Sequence, residues 1–123
     1  MKQILLVDDD DLFGDMIEEA LIMFGYGVAR ARDGKAALKL YAPATVALVL
    51  TDMIMPDMEG VELIFALRRQ HPGVKVIAIS GGGSNEPDAY LKIARQVGAL
   101  RTLAKPFPLE TLRTTLKECL AAP

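Results

Sequence analysis

Apolar positions along the chain alternate between two spacings. Continuous apolar runs occur at residues 4–7 and 46–50, a run interrupted only by Lys75 occurs at 74–79, and weaker runs occur at 28–31 and 100–103. Between these runs, apolar residues recur every three or four positions, as at 12, 16, 20 and 24. Continuous runs are typical of strands covered on both faces, and the longer spacing is typical of amphipathic helices. The pattern therefore predicts five strands alternating with five helices.

Capping and turn residues separate the predicted elements. Asp10 or Asp11 can cap the first helix, Gly25 can end it, and Pro43 stops the second helix. Strands that alternate with helices imply a parallel sheet with helices on both faces, joined by right-handed crossovers. We therefore expect one α/β domain over residues 1–123, built on a doubly wound, five-stranded parallel sheet.

Composition and charge exclude several classes of protein. With 123 residues, 51% hydrophobic and 24% charged, the chain fits one globular domain. A net charge of −2 and a pI near 5.4 argue against a nucleic-acid-binding or anionic-membrane surface. The single cysteine, Cys119, indicates a reducing compartment, and the N-terminal apolar run is too short for a signal peptide or membrane span. We predict a cytoplasmic protein with no membrane segment.

Polar residues follow the strands at corresponding positions. Asp8 and Asp9 come after the first predicted strand, Asp52 ends the third, Ser80 ends the fourth, and Lys105 follows the fifth. The carboxyl ends of parallel strands meet at one edge of a sheet, where ligands bind in this class of fold. These side chains are therefore predicted to gather at one site.

Three carboxylates at one edge predict a cation. Asp8, Asp9 and Asp52 would raise one another's pKa values unless a positive group joined them, and Lys105 alone leaves the site negative. Magnesium prefers oxygen ligands of this kind. With Mg²⁺ and Lys105 the site sums to about zero charge and could accept a phosphoryl group.

Four motifs in this order resemble the receiver domain of two-component response regulators. They are "ILLVDDDD", "LVLTDMIMPDMEG", "VIAISG" and "AKPF", and the resemblance runs from Lys2 to the last helix. It implies a flavodoxin-like (βα)5 fold with strand order 2-1-3-4-5. It also implies a signalling protein of the stand-alone, single-domain type, which is not an enzyme.

The resemblance assigns a role to each candidate residue. Asp52 would accept a phosphoryl group from the phosphohistidine of a sensor histidine kinase or histidine phosphotransfer protein. Lys105 would pair with the phosphoryl oxygens, and Ser80 would hydrogen-bond one of them after transfer. Asp9 would bind Mg²⁺ directly, Asp8 mainly through its waters, and the backbone carbonyl of Ile54 would be a further metal ligand. A downstream protein would bind around the last two helices.

The sequence departs from the family pattern at two positions. Thr102 stands three residues before Lys105, where family members usually carry the aromatic residue of the switch. Ile54 offers no polar side chain to position a hydrolytic water, which predicts slow loss of phosphate from Asp52. The Lys105-Pro106 peptide also resembles one that is often cis in receivers.

Two other functions remain open at this stage. Asp8 and Asp10 form an Asp-x-Asp after an apolar strand, which resembles haloacid-dehalogenase-type phosphatases with Asp8 as nucleophile and Asp10 as acid. A degenerate receiver that binds a partner without being phosphorylated is the second alternative. The phosphatase predicts phosphorylation of Asp8, whereas a receiver predicts phosphorylation of Asp52. A degenerate receiver predicts no phosphate uptake at all.

Overall fold

The computed structural model describes residues 2–53, 60–81 and 87–122. Five strands alternate with five helices in the described chain. The strands are β1 (Gln3–Val7), β2 (Gly27–Ala31), β3 (Val46–Asp52), β4 (Val76–Gly81) and β5 (Arg101–Lys105). The helices are α1 (Asp11–Met23), α2 (Gly34–Leu40), α3 (Gly60–Gln70), α4 (Pro87–Val97) and α5 (Leu109–Ala121).

All five strands are parallel and lie in the order β2-β1-β3-β4-β5. The predicted doubly wound sheet and its strand order are therefore confirmed. The register aligns the ends of the strands: Val7 pairs with Thr51, Asp52 with Ile79, and Gly81 with Lys105. Side chains that follow β1 and end β3 thus lie beside each other at one edge.

The sheet separates two apolar clusters, because successive side chains of a strand point to opposite faces. Along β1, Leu5 and Val7 join one cluster, while Ile4 and Leu6 join the other. The first cluster contains residues of α2, α3 and α4, and the second contains residues of α1 and α5. Helices therefore cover both faces, which explains the continuous apolar runs in the strand sequences.

Capping residues fix where α1 begins and ends. The Asp10 carboxylate accepts a hydrogen bond from the amide of Phe13, as expected of an N-cap. Gly25, just after the Phe24 C-cap, has a φ of +99°, a conformation that glycine adopts without strain. Both limits of the helix agree with the sequence prediction.

Element limits and exposure differ from the sequence pattern in a few places. β4 begins at Val76, two residues later than the apolar run at 74–79, and extends to Gly81, one residue past the Ser80 end that the sequence predicts. Two of the positions that define the helical spacing of α1, Leu12 and Met16, are exposed by 84% and 49%. Their apolar character does not reflect burial, so spacing alone misplaces part of the buried face. In the described parts of the chain, no helix has the length and apolar character needed to cross a membrane.

Candidate functional site

Three carboxylates converge at the carboxyl edge of the sheet. Asp8 follows β1 and Asp52 ends β3, so the pairing of Val7 with Thr51 brings their backbones side by side. One carboxylate oxygen each of Asp8, Asp9 and Asp52 lies within 4.8 Å of the other two. The chain thus brings together acids separated by more than forty positions in sequence.

The Asp8 carboxylate is the most buried member of this cluster. Asp8 is 2% exposed, and its Oδ1 accepts a hydrogen bond of 2.8 Å from the amide of Asp10. The pKa of Asp8 is raised to about 6, chiefly by burial; the charges of Asp52 and Asp9 also raise it, whereas the Asp10 amide and Lys105 lower it. Without a bound metal ion, the charged form of Asp8 is therefore less favourable in the folded protein than in the unfolded chain.

The Asp52 carboxylate is half-buried and held by the backbone that follows it. The Met53 amide donates both to Asp52 Oδ1 at 2.8 Å and to the carbonyl oxygen of Ile79 at 2.9 Å. At Gly60, an added Cβ would lie 2.6 Å from the Asp52 carbonyl oxygen and 2.7 Å from Met53 Cα. Because both are backbone atoms, only glycine lets α3 begin this close to the end of β3.

Lys105 and Ser80 lie at the same edge on the next two strands. Lys105 ends β5, its Nζ lies 4.0 Å from Asp8 Oδ2, and its side chain is 20% exposed. The Lys105-Pro106 peptide is cis. Ser80 is 2% exposed and follows Ile79, the residue that pairs with Asp52. Ile54, the remaining predicted site residue, lies outside the described residues.

The residues present fit a divalent cation with oxygen ligands. Three carboxylates face one ammonium at the outer limit of ion-pair distance, so the cluster carries an uncompensated negative charge. Carboxylate oxygens are the ligands that Mg²⁺ prefers, and Mg²⁺ is usually held by one or two carboxylates together with its own waters. The acidic cluster is therefore suited to binding such an ion.

One contact at this site was missed by the sequence analysis. Lys105 Nζ lies 3.9 Å from the centroid of the Phe13 ring, in the first turn of α1. The ring of Phe107 meets Phe13 edge-on, with centroids 6.3 Å apart. An aromatic residue shortly after the acidic run was the only sequence signal, and it does not distinguish a site contact from core packing.

Comparison with known proteins identifies relatives along nearly the whole chain. The family described as "Response regulator receiver domain" matches residues 4–117. The chain is 36% identical to the sensor kinase CckA of Brucella abortus over 95% of its length, and 29% identical to sporulation initiation phosphotransferase F of Bacillus subtilis over 97%. The receiver domain of NtrX from Brucella abortus superimposes with a TM-score of 0.89 at 28% identity, covering 98% of this chain and 100% of that one.

The relatives differ greatly in length. The chain spans 12% of the sensor kinase and 94% of the phosphotransferase. Of a third relative, a response regulator receiver protein of Anaeromyxobacter, it spans 43%. This type of domain therefore occurs within much longer proteins and also as nearly a whole protein.

Proposed function

The chain belongs to the response regulator receiver domain family, the phosphoacceptor domains of two-component systems, and we propose that Asp52 is its phosphoacceptor. The convergence of Asp8, Asp9 and Asp52 within 4.8 Å is the observation that carries this proposal. Asp52 is half-buried, whereas Asp8 is 2% exposed, so an incoming phosphoryl group reaches Asp52 more readily. The family match covers residues 4–117, which include every candidate site residue.

In the proposed reaction, a carboxylate oxygen of Asp52 attacks the phosphorus of a phosphohistidine. A P–O bond forms while the P–N bond breaks, and its electron pair leaves with the imidazole, a neutral leaving group once its other nitrogen is protonated. The hydrogen bond that the Met53 amide donates to Asp52 Oδ1 fixes the orientation of the attacking Asp52 carboxylate. Lys105 offers an ammonium to the phosphoryl oxygens, and Ser80 offers a hydroxyl after transfer.

We propose Mg²⁺ as the ion of the acidic cluster, held by Asp8, Asp9 and Asp52. The backbone carbonyl of Ile54, outside the described residues, is the fourth protein ligand that the family pattern suggests. When bound, Mg²⁺ neutralises charge that develops on the phosphoryl oxygens. The convergence of three carboxylates supports this assignment, because a bound cation would offset both their mutual repulsion and the burial penalty on the charged form of Asp8.

The proposed partners are a sensor histidine kinase or histidine phosphotransfer protein as donor and a protein as downstream target. The chain matches a phosphotransferase over 94% of that protein's length, which supports transfer of the phosphoryl group to a further protein in a relay. For the target we propose the face formed by α4, β5 and α5. Ile93 of α4 and Leu109 of α5 are 43% and 44% exposed, and Leu100, just before β5, is 37% exposed.

On this face, Thr102 stands where family members usually carry an aromatic residue. The residue is half-buried on β5, beside a cavity of about 320 Å³ lined by Arg95, Leu100, Arg101 and Thr102 itself. A threonine is too small to fill space opened near Ser80 as an aromatic residue does. We therefore propose that the switch is read out without an aromatic rotation. Slow loss of phosphate, predicted from Ile54, and a cytoplasmic location stay predictions.

We also propose that the domain is a signalling domain and not an enzyme, and that residues 1–123 form a single receiver domain. The phosphatase alternative required Asp8 as nucleophile and Asp10 as acid. Asp10 instead caps α1 through its carboxylate, and Asp8 is nearly inaccessible. A degenerate receiver is not favoured, because Asp8, Asp9, Asp52, Ser80 and Lys105 are all present.

The test is incubation with acetyl phosphate and Mg²⁺, followed by borohydride reduction and mass mapping of the modified aspartate. We expect label on Asp52, and none in Asp52→Asn. Asp11→Asn is the matched control, because Asp11 is an exposed acid of the same run that pairs with Arg32. Label on Asp8 would support the phosphatase instead, and a wild-type protein without any label would support the degenerate receiver.

A further inference from the structure

The Lys105 ammonium has two neighbours at nearly equal distance. Its Nζ lies 3.9 Å from the centroid of the Phe13 ring and 4.0 Å from Asp8 Oδ2. A cation within about 6 Å of a ring centroid is attracted by the negative face of the ring, most strongly where water is excluded. The Lys105 side chain is 20% exposed and Asp8 is nearly fully buried, so this contact is largely shielded from solvent.

Phe13 is tied to the acidic cluster through the backbone as well. Asp8 Oδ1 accepts from the Asp10 amide at 2.8 Å, and Asp10 Oδ1 accepts from the Phe13 amide at 3.1 Å. The Phe13 ring then faces Lys105, which returns to Asp8. These contacts form a closed circuit, so the position of the ring is coupled to the position of the carboxylate.

The ring of Phe107 packs against the ring of Phe13. Its ring meets Phe13 at an interplanar angle of 86° and a centroid distance of 6.3 Å, the edge-to-face arrangement that aromatic pairs favour. Both rings pack against the apolar cluster between the sheet and helices α1 and α5. Phe107 lies two residues after Lys105, so the lysine at the end of β5 and the residue that contacts its aromatic neighbour are close in sequence.

An aromatic ring suits a lysine that must later contact an anion. The lysine side chain is a compact charge on a flexible four-carbon stem, and ordering that stem has an entropic cost. A second carboxylate would order it but would also neutralise its charge. A ring orders it while carrying no net charge, so the ammonium remains available to phosphoryl oxygens at Asp52.

We propose that Phe13 is a positioning residue that holds the Lys105 ammonium ready for the phosphoryl group. This inference rests on the proposed function of Asp52 and deepens it. Phe13 acts through Lys105 and does not itself touch the reacting atoms. Removing the ring while keeping an apolar side chain should slow phosphorylation of Asp52 about five- to ten-fold, as expected for a well-shielded cation–π contact.

The kinetic test compares phosphorylation rates of Asp52 by acetyl phosphate and Mg²⁺ in Phe13→Leu, Phe13→Met and Phe13→Tyr. We expect Leu and Met to slow the reaction and Tyr to keep the wild-type rate, because tyrosine retains the ring face. Phe24→Leu is the matched control. Phe24 packs against the same cluster at the other end of α1 and has Arg113 5.8 Å from its ring centroid, away from the carboxylates.

A second measurement requires neither phosphorylation nor metal. In the metal-free protein, the Phe13 ring should shift the NMR signals of the Lys105 ε-methylene upfield. That shift should disappear in Phe13→Leu and Phe13→Met and persist in Phe24→Leu. Spectra of the whole protein also report whether each variant is folded, and Phe13→Met nearly conserves side-chain volume should the leucine variant unfold.

Several results would overturn the inference. Wild-type rates in both Phe13→Leu and Phe13→Met would do so, as would equal slowing in Phe24→Leu, which would indicate a general packing effect. Slowing in Phe13→Tyr as large as in Phe13→Leu would exclude the ring face as the cause. If wild-type Asp52 is labelled normally and any of these results is found, only the role of Phe13 is refuted and the proposed function of Asp52 stands. No labelling of wild-type Asp52 refutes the proposed function and the inference with it.

Discussion

Replacing Asp8 by asparagine should stabilise the metal-free protein at neutral pH. Burial, aided by the charges of Asp52 and Asp9, raises the pKa of Asp8 from 3.8 to about 6. Each pKa unit corresponds to 1.36 kcal/mol, so holding this carboxylate charged in the folded state costs roughly 3 kcal/mol at pH 7. Asparagine removes the charge and keeps an oxygen that can accept from the Asp10 amide. We expect a gain of about 1–3 kcal/mol in the free energy of unfolding.

The sign of the pH dependence follows from the same shift. Between about pH 4 and pH 6, folded wild-type protein retains a proton on Asp8 that the unfolded chain has lost. Raising the pH through this window therefore destabilises the wild-type protein, and above it the loss is complete. At pH 4, close to the unfolded pKa of 3.8, the folded carboxyl is protonated and the unfolded one partly so, which leaves little of the penalty; well below that pH, Asp8 is protonated in both states. The advantage of the variant should disappear there.

Urea denaturation of chelator-treated protein at pH 4 and pH 7.5 measures both effects. Asp9→Asn is the control, because it removes the same charge from an exposed position where no burial opposes it. Added Mg²⁺ should stabilise wild-type protein by mass action and Asp8→Asn much less. If Asp8→Asn were no more stable than wild type at pH 7.5, or equally advantaged at pH 4, burial would not be the source of the shift.

Three further predictions concern packing. Gly60→Ala should lower the free energy of unfolding by about 1–3 kcal/mol, because the added Cβ would meet backbone atoms. Gly73→Ala, whose Cβ would have nothing within 4 Å, should not lower it. Equal urea midpoints for the two variants would contradict this. Leu116→Ala, at a fully buried position, should cost about 2–5 kcal/mol in calorimetry, and Leu109→Ala, 44% exposed on the same helix, much less. Burial raises the pKa of the Cys119 thiol. An aromatic disulfide reagent should therefore react with Cys119 slowly until urea unfolds the chain. Rapid reaction in the native protein would refute the burial of this thiol.

The fold could be predicted from local pattern because strands and helices differ in the spacing of apolar residues. Continuous runs identified the buried strands, and Asp10 and Gly25 marked the limits of α1. Local pattern was less reliable where burial depends on neighbours. Leu12 and Met16 have the spacing of a buried face, yet both are exposed, because α1 packs through Gly14, Ile17, Ala20 and Leu21.

The sequence alone determined which residues reach the carboxyl edge of the sheet, since strand ends are local features and parallel strands share that edge. Only the tertiary structure decided the electrostatics there. The pKa of Asp8 depends on burial and on Asp52, a residue brought close by strand pairing rather than by sequence. The contact of Lys105 with Phe13 likewise joins β5 to α1. Desolvation and charge interactions act through space, so they follow from the packed chain and not from residue spacing.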